Sequence, residues 1–127
     1  MIHTTVNQFL EATLDLTIHG PDGQQERLEC KIDTGFDGAL TLHSAVAAAL
    51  DLPRVNTGRA ILADGSETTF PIHRAVVEWG ETRRHINVHV ADTVCLLGMA
   101  MLAGHELRME IIPDGAVRIT PLEQRAA

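Results

Sequence analysis

Ile32-Asp33-Thr34-Gly35-Phe36-Asp37-Gly38-Ala39-Leu40 interrupts an otherwise regular alternation of apolar and polar residues. A carboxylate at the end of an apolar strand is costly to ionise without partners. Thr34 and Gly35 supply a hydroxyl, free backbone N–H groups and a tight turn that can hold it. That chemistry suits an acid/base carboxylate, although an aspartate that only caps its own turn gives the same triplet.

The residues upstream form a hairpin that delivers Asp33. Leu10, Ala12, Leu14, Leu16 and Ile18 alternate with Glu11, Thr13, Asp15, Thr17 and His19, the period of two expected of a half-buried strand. Gly20-Pro21-Asp22-Gly23 turns the chain, and the alternation resumes with Leu28, Cys30 and Ile32 against Arg27, Glu29 and Lys31. Downstream, Ser44 is a candidate N-cap for a two-turn helix over residues 45–50, stopped by Pro53. Residues 59–63 and 67–72 flank Asp64-Gly65, a two-residue hairpin signal, and a second hairpin joins 75–79 to 83–90 about Gly80-Glu81. The continuous apolar run 94–97 predicts a strand buried on both faces, and 99–103 a short helix closed by Gly104. A last hairpin joins 107–112 to 116–119 around Pro113-Asp114-Gly115. Eight or nine short strands and two short helices make a mostly β fold of closed or sandwich-like form, one domain over residues 1–127.

Composition agrees. A hydrophobic fraction of 45% with 21% charged residues excludes a disordered tail, a collagen-like rod and a bundle of membrane helices. Ten Lys+Arg against 17 Asp+Glu give a net charge of −7, which repels phosphate backbones, so neither nucleic acid nor an anionic membrane is an expected partner. The opening MIHTTVNQFL lacks the positive and apolar regions of a signal peptide, and a cytoplasmic location is expected. Cys30 and Cys95, both in apolar runs, are then expected as reduced thiols packed as small hydrophobes.

Taken in order, these motifs resemble the retropepsin-like branch of the aspartic proteases, specifically small bacterial members with an Asp-Thr-Gly-Phe site. The resemblance rests on Cys30-Lys31-Ile32 leading into Asp33-Thr34-Gly35 and on Ala39-Leu40-Thr41-Leu42 after it. It rests equally on the mid-chain hairpin about Asp64-Gly65, in the place of a flap, and on Leu96-Leu97-Gly98 before Met99-Ala100-Met101-Leu102. A faint internal repeat accompanies it, since Cys30-Lys31-Ile32-Asp33-Thr34-Gly35 and Val94-Cys95-Leu96-Leu97-Gly98 are both strand-to-glycine turns.

The resemblance implies a retropepsin-like half-barrel and an aspartic endopeptidase that needs no metal or cofactor. Its mechanism uses two aspartates sharing a proton, but the counterpart turn here carries Leu96-Leu97-Gly98. The second carboxylate would come from another copy of the chain, which makes a two-fold homodimer acting on a polypeptide substrate part of the expectation. In the implied roles Asp33 is the general acid/base, Thr34 braces the two turns across the dimer axis, and Gly35 lets substrate backbone approach. Phe36, Asp37, Asp64 and Gly65 are the implied substrate contacts. Two departures stand out. Phe36 replaces a residue that is small in retroviral relatives and is expected to crowd the cleft, and Ala63-Asp64-Gly65-Ser66 lacks the glycine-rich character of retroviral flaps.

Other chemistry is weaker. His85, Asn87 and His89 share one strand face opposite Ile86, Val88 and Val90, which predicts solvent-facing histidines rather than a metal site. Trp79 reads as a packing residue at a hairpin end. No Cys-x-x-Cys, His-Glu-x-x-His, Gly-x-Ser-x-Gly or phosphate-binding glycine loop is present. The competing class is a non-catalytic peptide-binding or dimerisation module on the same fold, which keeps cleft and dimer without the proton-sharing pair.

Overall fold

A computed structural model describes residues 1–123. Along the chain run β1 (Ile2–Val6), β2 (Ala12–His19), β3 (Gln25–Ile32), β4 (Leu40–Leu42), α1 (Ser44–Ala49), β5 (Arg54–Ile61), β6 (Glu67–Trp79) and β7 (Thr82–Val90). They are followed by β8 (Leu96–Leu97), α2 (Met99–Leu102), β9 (His105–Met109) and β10 (Ala116–Pro121). The strands form one sheet in the order β5-β6-β7-β4-β8-β3-β2-β1-β10-β9. A further pairing of β6 with β2, Ile18 opposite Val77 and His19 opposite Val76, closes the six strands from β6 to β2 into a barrel. The β5 edge extends from one side of this closure and β1-β10-β9 from the other. Among the described residues no helix is long and apolar enough to cross a membrane.

The alternation quoted above is what fills the barrel. Ala12, Leu14, Leu16 and Ile18 of β2 are buried while Thr13 and Asp15 are not, and Ile86, Val88 and Val90 of β7 repeat the pattern. Ile18, Leu40, Leu42, Val77, Val88 and Leu97 are fully buried, each contributing about 1.5–3 kcal/mol of apolar transfer. Two pairings are parallel, β3 with β8 and β4 with β7, and they set the Asp33 turn beside its counterpart.

Several boundaries differ from expectation. The predicted break between 67–72 and 75–79 is absent, and β6 is continuous. Its apolar positions shift phase from Phe70 and Ile72 to Ala75, Val77 and Trp79 as the strand passes from pairing with β5 to pairing with β7. The hairpin about Asp64-Gly65 is not a two-residue turn. Leu62 N–H donates to Ser66 O at 2.7 Å, Gly65 N–H donates to Leu62 O at 2.9 Å, and Gly65 takes a φ of +84°, a three-residue loop ending in the left-handed region. His43 rather than Ser44 caps α1, its Nδ1 accepting from Ala45 N–H at 3.1 Å, while Ser44 donates its hydroxyl to Asp92 at 2.7 Å. Val94 lies exposed ahead of β8 instead of buried in it. β1 and the three-residue β4 carry too little alternation to be seen alone, and pairing places them: Ile2 opposite Ile119, Leu40 between Val88 and Leu97.

The cysteines require a correction. Cys30 and Cys95 form a disulfide, with Cα atoms 4.6 Å apart, although they were expected as free thiols. The reason is the parallel β3–β8 pairing, which sets Lys31 opposite Leu96 and therefore brings Cys30 and Cys95 together. Such bonds are rare in the cytosol, so the cysteines lend the cytoplasmic expectation no support. Closing a loop of 65 residues should stabilise the fold by about 4 kcal/mol, chiefly by restricting the unfolded chain. Urea unfolding with and without a dithiol reductant should show that loss on reduction; identical midpoints would mean that the bond does not form in solution.

Candidate active site

Because β3 and β8 lie side by side in parallel, the two halves of the internal repeat are adjacent in space, and Asp33 N–H donates to Leu97 O at 2.8 Å. The aspartate then organises its own turn: Gly35 N–H donates to Oδ1 at 2.9 Å and Phe36 N–H to the Asp33 carbonyl at 3.1 Å. The turn-capping reading of the triplet therefore holds locally: the cap occupies one carboxylate oxygen and, among the described residues, no other hydrogen bond reaches the group. Asp33 is half-buried, and Thr34 and Gly35 are exposed beside it.

The next four residues are stitched to α2. Gly98 N–H donates to Ala39 O at 2.9 Å, Met99 N–H to Phe36 O at 2.8 Å and Ala100 N–H to Gly38 O at 3.1 Å, so the loop after the Asp33 turn satisfies amides that a helix start leaves unpaired. This approach leaves no space at Gly98: a Cβ there would stand 2.2 Å from Gly38 O and 2.6 Å from Phe36 O. Gly98→Ala is accordingly expected to cost about 3 kcal/mol by overpacking against backbone, read as a lowered urea midpoint. An unchanged midpoint would show that the loop is held less tightly than these contacts require.

Phe36, expected to crowd the cleft, instead packs down over glycines. A Cβ on Gly38 would approach its ring to 2.5 Å and one on Gly98 to 2.6 Å. The ring meets His89 edge-on at 5.3 Å between centroids, and His89 in turn lies against Phe70 at 4.7 Å. These three rings line a groove of about 510 Å³ together with Asp37, Arg59 and Pro71. His89 is thus not the solvent-facing residue predicted by alternation, because Phe36 and the β5–β6 hairpin cover that end of β7. Burial lowers its pKa, against an opposing pull from Asp37. The neutral ring is favoured in the fold, so its stabilising contribution is present above the usual histidine pKa and is lost as pH falls below it.

Among the other predicted contacts, Asp37 lines this groove, exposed. Asp64 and Gly65 lie at the hairpin tip and do not line it. The Asp64 carboxylate accepts from the Ser66 hydroxyl at 2.5 Å and from Ser66 N–H at 2.9 Å, contacts that hold its pKa below the ordinary value, the hydroxyl foremost. The hairpin contributes Arg59, Thr69 and Phe70 to the groove instead, and these, with His89, are the residues that sequence reasoning missed. On its other side Asp33 borders a hollow of about 300 Å³, whose second carboxylate, Glu11, is engaged by Lys31 Nζ at 2.5 Å and by Asn7 Nδ2 at 3.0 Å. The Lys31 contact is the main reason its pKa is lowered. Trp79 is buried as expected and donates Nε1–H to His105 at 3.1 Å, in a hollow that shares no residue with the Asp33 turn.

No family model matches the sequence, and no curated protein matches it. Solved structures do resemble the fold. A retropepsin-like aspartic protease from Rickettsia conorii superposes with a TM-score of 0.59 at 16% identity, covering 94% of this chain and 89% of that one. EIAV protease, complexed with the inhibitor HBY-793, superposes with a TM-score of 0.56 at 22% identity, covering 78% of this chain and 91% of that one. The chain therefore has a mostly β, retropepsin-like fold. At such identities the likeness shows fold and not chemistry.

Proposed function

We propose that this protein is an aspartic endopeptidase whose active site is assembled from two Asp33 carboxylates, one from each subunit of a homodimer. The observation that carries the proposal is the Asp33-Thr34-Gly35 turn, held by Leu97 O and α2 on a retropepsin-like fold, with its carboxylate closed on one oxygen and open on the other. Two carboxylates a few ångström apart cannot both ionise readily, so one stays protonated while the other is charged. The charged one takes a proton from a water held between them, and the resulting hydroxide adds to the peptide carbonyl. The protonated one gives its proton to the carbonyl oxygen as the tetrahedral intermediate forms; on collapse the carboxyl that took the proton from water passes it to the leaving amine, and the other takes a proton back from a hydroxyl of the intermediate, restoring the pair. Thr34, exposed at the turn, braces the two copies, and Gly35, without a side chain, lets substrate backbone come close. The groove of Phe36, His89 and Phe70 takes a substrate side chain, with Asp37 at its wall.

The reading makes activity depend on association. Dilution below the dimer dissociation constant should turn peptide hydrolysis from first to second order in protein concentration, parallel to the dimer fraction from sedimentation. A rate that stays linear in concentration where sedimentation shows monomers would exclude the shared site. A dimer that binds peptides in the groove without cleaving them would identify the peptide-binding module instead.

A further inference from the structure

The hollow at Trp79, between the β6–β7 turn and the start of β9, measures about 410 Å³, within the range of small-molecule sites. The chemistry proposed for Asp33 makes no use of it. Its lining is largely apolar: Trp79 and Ile119, both buried, meet Ile2 and Pro121 there.

The polar groups of this lining are set by the fold itself. Trp79 Nε1–H donates to His105 Nε2 at 3.1 Å, and because an indole only donates, the His105 proton sits on Nδ1, from which it is given to Ala103 O at 2.9 Å. Both imidazole nitrogens are thereby spent. The two rings stand edge to face, 5.6 Å between centroids, so His105 orients Trp79 and is not a free acid or base. The Thr82 hydroxyl is spent likewise, donating to Trp79 O at 2.9 Å.

Arg84 differs from these. Its guanidinium lies 5.8 Å from the centroid of the Trp79 ring, on a half-buried residue, and Nη1 donates to Met101 O at 2.7 Å. That bond uses one N–H of a planar fork that carries several. Among the described residues no carboxylate comes within ion-pair reach of it, although acids outnumber bases 17 to 10 in the chain. Glu81 lines the same hollow, but it is exposed and makes no ion pair with Arg84.

We propose that this hollow binds a small molecule with an apolar body and a single carboxylate, the body against Trp79 and Ile119 and the carboxylate on Arg84. A wholly apolar ligand would take water from the remaining guanidinium donors and return nothing. A carboxylate matches their planar fork. A multiply charged anion is disfavoured, because Glu81 shares the lining and the chain as a whole is acidic. The site shares no residue with the Asp33 turn, so its ligand binds whether or not the protein cleaves peptides.

The chain has one tryptophan and no tyrosine, and intrinsic fluorescence therefore reports on Trp79 alone. Octanoate, titrated below its micellar concentration, should change that signal saturably. Octanol, with the same chain and no charge, should bind at least about tenfold more weakly, the worth of a charge-assisted hydrogen bond. Arg84→Gln, whose amide can still donate to Met101 O, should lower octanoate affinity to that of octanol and leave octanol unchanged, with circular dichroism as in the wild type. Glu81→Gln, at an exposed position, should tighten octanoate severalfold at low salt and less at high salt. Should Arg84→Gln fail to fold, the Glu81 variant and the octanoate-to-octanol ratio still decide. Octanol binding as tightly as octanoate would overturn the carboxylate assignment, and so would octylamine binding better than octanoate. A Trp79 signal that octanoate leaves unchanged would overturn the site itself.

Discussion

Asp33→Asn should reduce peptide hydrolysis by at least about 10³-fold while leaving the fold and the dimer in place. The amide has nearly the shape of the carboxylate, and its oxygen can still accept the Gly35 N–H that closes the turn at 2.9 Å. Asp33 N–H keeps its bond to Leu97 O, which involves no side chain. What disappears is the ability to hold and exchange a proton, and the homodimeric variant loses it at both positions of the pair at once. Urea unfolding and sedimentation of the variant should match the wild type, so that lost activity cannot be ascribed to lost structure. Activity within a few fold of wild type would move the acid/base role to another carboxylate. Asp37, which lines the neighbouring groove, would be the first to test.

The wild-type pH profile adds an independent reading of the same pair. A dyad that works with one proton between two carboxylates loses activity when both are protonated and again when both are charged, giving a bell whose limbs belong to the pair rather than to either residue. Protonation of His89 would be a separate event from titration of the pair. Its lowered pKa follows from burial between Phe36 and Phe70, so it should appear in binding of substrate to the groove rather than in the chemical step.

The parts of the fold legible from sequence are those in which neighbours along the chain are also neighbours in space. The β2–β3 hairpin and the inward residues of β7 follow directly from a period of two, because one face is buried and the other is not. The turn at Asp33-Thr34-Gly35 was readable for the same reason: the hydrogen bond from Gly35 N–H to the Asp33 carboxylate that closes it is local. Barrel closure depends on Ile18 meeting Val77, a contact between strands that each already had a partner next in sequence, and alternation says nothing about it. The disulfide was lost similarly: the internal repeat set Leu96-Leu97-Gly98 against Asp33-Thr34-Gly35, and only the parallel register of β3 and β8, Lys31 opposite Leu96, brings Cys30 to Cys95. In the site, Phe36 looked obstructive because its packing partners, Gly38 and Gly98, matter through what they lack. His89 obeyed the alternation and still was covered, because the β5–β6 hairpin lies over an outward face of the barrel.

Mixing Asp33→Asn chains with wild type offers the sharpest test, since a site shared between identical halves makes a quantitative statement that a self-contained site does not. With equal amounts of the two chains and free exchange, random pairing leaves about a quarter of the dimers with two aspartates. Activity per total dimer should fall to about that fraction. The heterodimer carries one aspartate and one asparagine, and it lacks either the group that gives the proton or the group that takes it. Pairing must be unbiased for the fraction to hold. Asp33→Asn alone should therefore show the wild-type dissociation constant, and incubation must outlast subunit exchange, which a tagged chain can report. Activity of about one half after confirmed exchange would mean that each chain carries a complete site. The open carboxylate oxygen of Asp33 would then have to be served by a group within the same chain, and since Glu11 is held by Lys31 and Asn7 and Asp64 by Ser66, Asp37 at the neighbouring groove would be the group to test.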